Sequence, residues 1–251
     1  MTVMRRLGVL VPASDPIVEA DFRNYLPNDI SFHTSRLYQA PASAAATVET
    51  LTLMTDSAED CARQISQVDP ELIVFACTSG SLFKGFGWDK ELAARITKAS
   101  GGIPATTTAT SMVEAHKALG LRKVVMVTPY PEKTNKIEVE FLKANGVDVV
   151  EFASFDCAKS RDIDKISTDK IKAKVLEHRA TIKKTDGVFI SCTALRSIEA
   201  VEALERELGV PVVTSNQSTI WNILRLMNID SSKIPCGRLF RLPAGPRARV
   251  A

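Results

Sequence analysis

The sequence predicts an α/β protein of two pseudo-symmetric Rossmann-like lobes, each with a parallel sheet, and a ligand site in the cleft between them. Three observations predict it. Short apolar runs alternate with longer amphipathic ones, the pattern of βαβ units. The second half of the chain repeats the order of the first. Two apolar runs end on the same dipeptide, Cys77-Thr78 in "IVFACTSGS" and Cys192-Thr193 in "GVFISCTALRS".

The elements follow in order. "RLGVLVP" (6–12) reads as a buried strand, closed by "PASDP". Residues 48–67 read as a helix and "ELIVFAC" (71–77) as a strand. Residues 88–100 form a predicted helix stopped by Gly101 and Gly102. "IPATTTA" (103–109) is a short strand, and 110–120 a helix with Gly120 at its C-terminal stop. In the second half, "KVVMVTPYP" (123–131), "DGVFISCT" (186–193) and 209–227 parallel the segments 6–14, 71–78 and 102–120. The offset is 192 − 77 = 115 for the cysteines and 211 − 104 = 107 for the prolines of "GVPVV" and "GIPAT". A unit of about 110 residues is too long for a solenoid repeat, so a duplicated lobe is expected. The two lobes meet near residue 110, and 241–251 is left as a tail. In open parallel sheets ligands bind at the carboxyl ends of strands, so paired lobes bring Cys77 and Cys192 to one cleft.

Composition bounds the function. The 251 residues are 45% hydrophobic and 24% charged, with a net charge of +3, enough for a core and a soluble surface. No basic cluster follows a helix face, so nucleic acid is not a partner. The basic C-terminus reads as a solvated tail. No apolar stretch approaches the roughly 20 residues that span a bilayer, and residues 7–11 are too short for a signal peptide. No membrane partner and a cytoplasmic location are therefore expected. The five cysteines, at 61, 77, 157, 192 and 236, lack CxxC spacing and imply neither a metal site nor a disulfide framework.

Each Cys-Thr pair ends a predicted strand and opens a predicted helix. A helix N-terminus favours the thiolate, and its free N–H groups, here those of Thr78, Ser79 and Thr193, bind carboxylate oxygens. Two opposed thiols relay a proton, or one adds to a double bond while the other protonates the carbanion. Thiolate character is expected to make Cys77 and Cys192 the fastest to alkylate. Cys61, Cys157 and Cys236 read as small buried hydrophobes. Among other residues, Tyr130 is a candidate donor to carboxylate and Asn135 a cap or orienter of the helix after it. His33 and Arg36 are candidates for substrate contact or lobe packing; His116 and His178 read as structural. Trp88 and Trp221 read as interface packing, and "FKGFG" (83–87) as a lid or a tight turn.

With these residues the chain resembles the aspartate/glutamate racemase superfamily, in its branch of maleate cis-trans isomerases and arylmalonate decarboxylases. The ordered set "GVLVPASD" (8–15), "FHTSRL" (32–37), "ACTSGS" (76–81), "VTPY" (127–130), "ISCTALRS" (190–197), "GVPVVTS" (209–215) and "CGRLF" (236–240) carries the resemblance. It implies no metal or organic cofactor, a last helix near 216–227 that crosses back to the first lobe, and a small carboxylate substrate; it admits a homo-oligomer. Arylmalonate decarboxylase has glycine at the position of Cys77. Both cysteines here therefore imply an isomerase or racemase, with maleate to fumarate as the named reaction. Decarboxylation of a substituted malonate is the alternative enzyme reading, and carboxylate binding without turnover the non-enzymatic one. The resemblance makes Cys77 the nucleophile or first base, Cys192 the opposed acid, and Thr78, Ser79, Tyr130 and Thr193 the carboxylate holders. The isomerases carry asparagine where this chain has Asp15. An ionised aspartate there repels a second carboxylate and suits an amide or ammonium group, as in an amino-acid derivative of the kind that ectoine-degradation relatives handle.

Overall fold

Strand and helix alternate through two successive units of the same plan. In the computed structural model, which describes residues 4–39 and 47–243, the first unit runs β1 (Arg5–Pro12), α1 (Ile17–Tyr25), β2 (Ile30–Leu37), α2 (Val48–Asp56), α3 (Ala58–Ile65), β3 (Leu72–Phe75), α4 (Thr78–Leu82), α5 (Trp88–Ala99), β4 (Ala105–Thr107) and α6 (Thr108–Leu119). The second runs β5 (Lys123–Thr128), α7 (Glu132–Ala144), β6 (Asp148–Ser154), α8 (Thr168–Glu177), α9 (Arg179–Ile182), β7 (Gly187–Ile190), α10 (Val201–Leu208), β8 (Val212–Thr214) and α11 (Ser215–Leu226), followed by α12 (Gly237–Phe240). The strands form two parallel sheets ordered β2-β1-β3-β4 and β6-β5-β7-β8, so the duplication extends to topology.

The period-2 alternation of each strand feeds two layers. Leu7, Val9, Val11, Leu72 and Val74 of the first sheet join Val124, Met126, Phe189 and Val213 of the second in one central core with α1, α6 and α11. The opposite faces are covered separately, Ile73 and Phe75 by α3 and α5, and Val188 and Ile190 by α8 to α10. α11 is buried from Ser215 to Leu224 although its first turns are polar. Most of those groups are paired: Thr214 and Gln217 form a capping box, and further along Asn222 donates to Ser111 at 3.1 Å and Thr106 at 3.4 Å.

Several elements differ from the sequence reading. The helix expected over 48–67 breaks at Ser57, whose hydroxyl donates to the Met54 carbonyl at 2.7 Å and accepts the Tyr38 N–H at 2.9 Å. The strand expected over 103–109 ends at Thr107, whose side chain caps the Thr110 N–H. The edge strands β2 and β6 carry mixed polar and apolar residues that hide their periodicity, and they were not among the expected strands. The second Cys-Thr opens no helix: a turn follows it, and α10 starts only at Val201. Of the tail, Leu242 packs on the core and Arg241 pairs with Glu202 at 2.8 Å; residues 244–251 lie outside the described residues.

His116 and His178 are structural. His178 pairs with Glu151 at 2.8 Å. His116 is wholly buried in α6, its Nδ1 donating to the Met112 carbonyl at 2.7 Å and its ring edge-on to Phe189 at 5.0 Å. Burial pushes it down to about 4. A depressed histidine contributes stability above its unfolded value, which is lost as pH falls from about 6.5 through 4. His116→Asn, which keeps a donor near Nδ1, should cancel up to about 3 kcal/mol of that acid loss. Urea unfolding of both proteins at pH 7 and pH 4 checks this; parallel acid losses would sink it.

Candidate active site

The two cysteines occupy equivalent places. Leu10 pairs with Phe75 across β1 and β3, and Val127 with Ile190 across β5 and β7; each cysteine lies two residues beyond. The last sheet bonds also match: Ala76 N–H to Leu10 and Ser191 N–H to Val127, each at 2.8 Å. Both thiols line one cleft enclosing ≈ 510 Å³ of empty space, its mouth included. Its floor comes from the loops after four strands, with Asp15, Ser79, Tyr130 and Thr193 beside the cysteines. Its walls come from Leu51 and Met54 of α2, with Gln39, Ser160 and Ile163. Among the described residues no lysine, arginine or histidine lines it, and residues 40–46, "APASAAA", contain no charged side chain.

Each thiol has a backbone N–H and a hydroxyl as partners. Cys77 has the Gly80 N–H and the Ser79 hydroxyl, the latter at 3.9 Å. Cys192 has the Ala194 N–H and the Tyr130 phenol. Burial nevertheless dominates and pushes Cys77 up to about 11 and Cys192 higher still, with the Asp15 carboxylate raising both. This corrects the expectation of thiolates at these two positions. The five-residue α4 is too short to offset desolvation at Cys77, and no helix starts at Cys192.

The remaining site residues fall into three groups. Ser79, Tyr130 and Thr193 line the cleft. The Tyr130 phenol, beside the Cys192 sulfur, offsets part of the upward push of burial on that thiol. Asn135 holds that turn, donating to the Tyr130 carbonyl at 2.9 Å and accepting from Thr128. Asp15 lines the cleft but is turned inward: its Oδ1 accepts the N–H groups of Ile17 at 2.8 Å and Val18 at 3.2 Å, and the Thr193 hydroxyl also bonds to it. Burial raises its pKa. Thr78 does not line the cleft; its hydroxyl donates to Ser215 Oγ at 2.9 Å.

Other candidates lie outside. Arg36 pairs with Glu19 and donates to the carbonyls of Ala13 and Asp15 at 3.2 Å, fastening the Asp15 loop. His33 faces the Ser31 hydroxyl. Residues 83–87 form a turn with positive φ at Gly85 and Gly87 and do not touch the cleft. Trp88 donates to the Gly80 carbonyl at 3.0 Å inside the first lobe. Sequence reasoning missed Ser215 and Asn216, which bond to the Cys192-Thr193 backbone, and the walls from α2 and Ser160–Ile163. The signal for Ser215 was present, since "GVPVVTS" ends where the first unit has Thr108.

A profile of the arylmalonate decarboxylase family matches residues 7–240. The chain belongs to this family. Maleate isomerase of Nocardia farcinica is 28% identical over 247 residues, covering 95% of this chain and 96% of that protein. Arylmalonate decarboxylase of Bordetella bronchiseptica is 27% identical over 235 residues, covering 93% and 95%. The solved structure of a cysteine-to-serine variant of the Nocardia farcinica maleate cis-trans isomerase, with a covalently bound succinylcysteine intermediate, superposes with a TM-score of 0.87 at 25% identity, covering 95% of this chain and 99% of that one.

Two outcomes are expected. Without substrate at pH 7, iodoacetamide should label half-exposed Cys157 before Cys77 and Cys192, because access and thiolate fraction set the rate; peptide mapping reads the order. Gly80→Ala would place a Cβ 2.4 Å from the Met54 methyl and 3.3 Å from the Cys77 sulfur. Met54, whose methyl is the free end of a flexible side chain, must then swing within the cleft wall, so labelling of Cys77 by iodoacetamide should change while the thermal melt stays close to the parent's. Labelling of Cys77 at the parental rate would contradict that packing.

Proposed function

We propose that the protein is a cis-trans isomerase of a small unsaturated carboxylate, with maleate to fumarate as the reference reaction. The observation that carries the reading is the pair of thiols lining one cleft from equivalent strand ends. Residues 1–110 with 216–240 supply one half-site and 111–215 the other. The related isomerase with a succinylcysteine intermediate supports covalent addition.

Cys77, the less strongly raised thiol, loses its proton to bulk water before the substrate binds. Its sulfur adds to one olefinic carbon, and the electron pair moves to the adjacent carbon and its carboxylate. The Cys192 thiol protonates that carbon and becomes a thiolate held by the Tyr130 hydroxyl and the Ala194 N–H. The former double bond is now single and rotates. Cys192 takes the proton back, the carbon–sulfur bond breaks, and the trans product leaves with Cys77 again a thiolate. Ser79 and Thr193, which line the cleft, are the proposed carboxylate holders.

Activity needs one proton on the pair, while burial favours two. The value of kcat/KM should therefore rise about tenfold per pH unit between pH 6 and 9. Asp15→Asn removes the carboxylate that raises both thiols, so the rise should begin at lower pH and turnover of maleate at pH 7 should increase. A flat profile, or one unmoved by Asp15→Asn, speaks against this protonation scheme.

Asp15 also favours a second substrate reading: one carboxylate plus an amide or ammonium group, as in an amino-acid derivative. Maleate, maleamate, aspartate, glutamate and phenylmalonate incubated in D2O and followed by NMR separate the readings. Fumarate from maleate, abolished by Cys77→Ala and by Cys192→Ala, is the expected result. CO2 release from phenylmalonate without isomerisation of maleate would overturn it in favour of decarboxylation.

A further inference from the structure

The two cysteines differ in backbone. Cys77 is extended, at φ −150° and ψ 121°. Cys192 has φ +113°, whereas the other described non-glycine residues of positive φ are Asp69, Asp156 and Asn228 at 48° to 56°. Aspartate and asparagine visit that left-handed region readily; a cysteine at +113° does not. Such conformations persist only where surrounding bonds impose them.

Consecutive side chains at the start of α11 impose this one. The Cys192 N–H donates to Ser215 Oγ at 3.0 Å, and the Thr193 carbonyl accepts from Asn216 Nδ2 at 2.8 Å. Both ends of the Cys192-Thr193 dipeptide are thus fastened. Each anchor also reaches the other half-site. Ser215 Oγ accepts from the hydroxyl of Thr78, next to Cys77, at 2.9 Å. The amide nitrogen of Asn216 also donates to Asp21 Oδ2 at 2.7 Å, on the helix whose first turn binds Asp15. Asn216 Oδ1 has no hydrogen-bond partner. Both amide hydrogens are therefore committed, and a flipped amide would set its oxygen against two acceptors.

The first unit lacks this arrangement. Its counterpart of Ser215 is Thr108, the first residue of α6, whose hydroxyl goes to the Phe75 carbonyl at 3.4 Å. Cys77 accordingly keeps an ordinary conformation. Duplicated elements have diverged where the two thiols would need different roles.

We propose that Ser215 and Asn216 are positioning residues that fasten the Cys192-Thr193 dipeptide and so hold Cys192 at its positive φ, and through Thr78 and Asp21 tie it to the half-site of Cys77. The kinetic consequence rests on the isomerase reading; the structural one does not. The test uses the full chain with Ser215→Ala and Asn216→Ala. Without substrate, labelling of Cys192 by iodoacetamide should rise at least fivefold in each variant while Cys77 stays within twofold, read by mass spectrometry. With maleate, kcat should fall about a hundredfold, the scale of an ångström's misplacement, with KM within threefold. Thr78→Val removes one partner of Ser215, so its kcat loss should be less than multiplicative with that of Ser215→Ala. Parental labelling and kcat in the alanine variants would overturn the proposal, as would labelling that rises equally at both cysteines with KM. If Ser215→Ala does not fold, Asn216→Ala decides. If the parent does not turn over maleate, the isomerase reading fails while the labelling still tests the clamp.

Discussion

The Ser215 hydroxyl is the point on which the arrangement of the site depends. It accepts from the Thr78 hydroxyl and from the Cys192 N–H, which belong to different sheets. Parallel strands end without a partner for their last polar groups, so something outside the sheet must satisfy them. Here α11 does so, because it is buried between the sheets and starts with polar side chains. Its buried position makes those bonds obligatory, since an unpaired polar group there costs about 1–3 kcal/mol.

The electrostatics of the cleft follow from the same enclosure. Asp15, Asp21 and Glu138 are buried acids whose pKa values burial raises, the last two to about 7. Glu138 accepts from Ser191, the residue before Cys192, at 2.6 Å. With no basic side chain among the described residues lining the cleft, hydroxyls and main-chain N–H groups are the donors available to an anionic ligand. Desolvation makes such fixed dipoles stronger than they are in water. It also keeps the thiols protonated until one gives up its proton.

Duplication explains the shared topology and the matched last bonds of the strands, but the two halves are not interchangeable. After Cys77 the chain turns directly into α4. After Cys192 it passes through a strained residue and a turn. Equivalent thiols therefore meet the cleft with different surroundings, Ser79 and Gly80 for one and Tyr130 and Ala194 for the other. A relay needs this inequality, because one sulfur must act as base while the other remains an acid.

The sequence by itself determined the lobes, the parallel strands and the meeting of Cys77 with Cys192. Those features depend on local period, turn residues and repeated order, all of which are written along the chain. The edge strands β2 and β6 escaped because half-exposed residues blur the apolar period. Only the tertiary structure decided the direction of each side chain and the charge of each thiol. Thr78 and Asp15 were legible as neighbours of the site, yet their polar atoms turn toward Ser215 and toward the Ile17 and Val18 N–H groups. The helix N-terminus argued for thiolates, and burial overrode it. Desolvation and long-range hydrogen bonds depend on what packs against a residue from distant parts of the chain: Ser215 lies 137 positions beyond Thr78, a separation that no local pattern encodes.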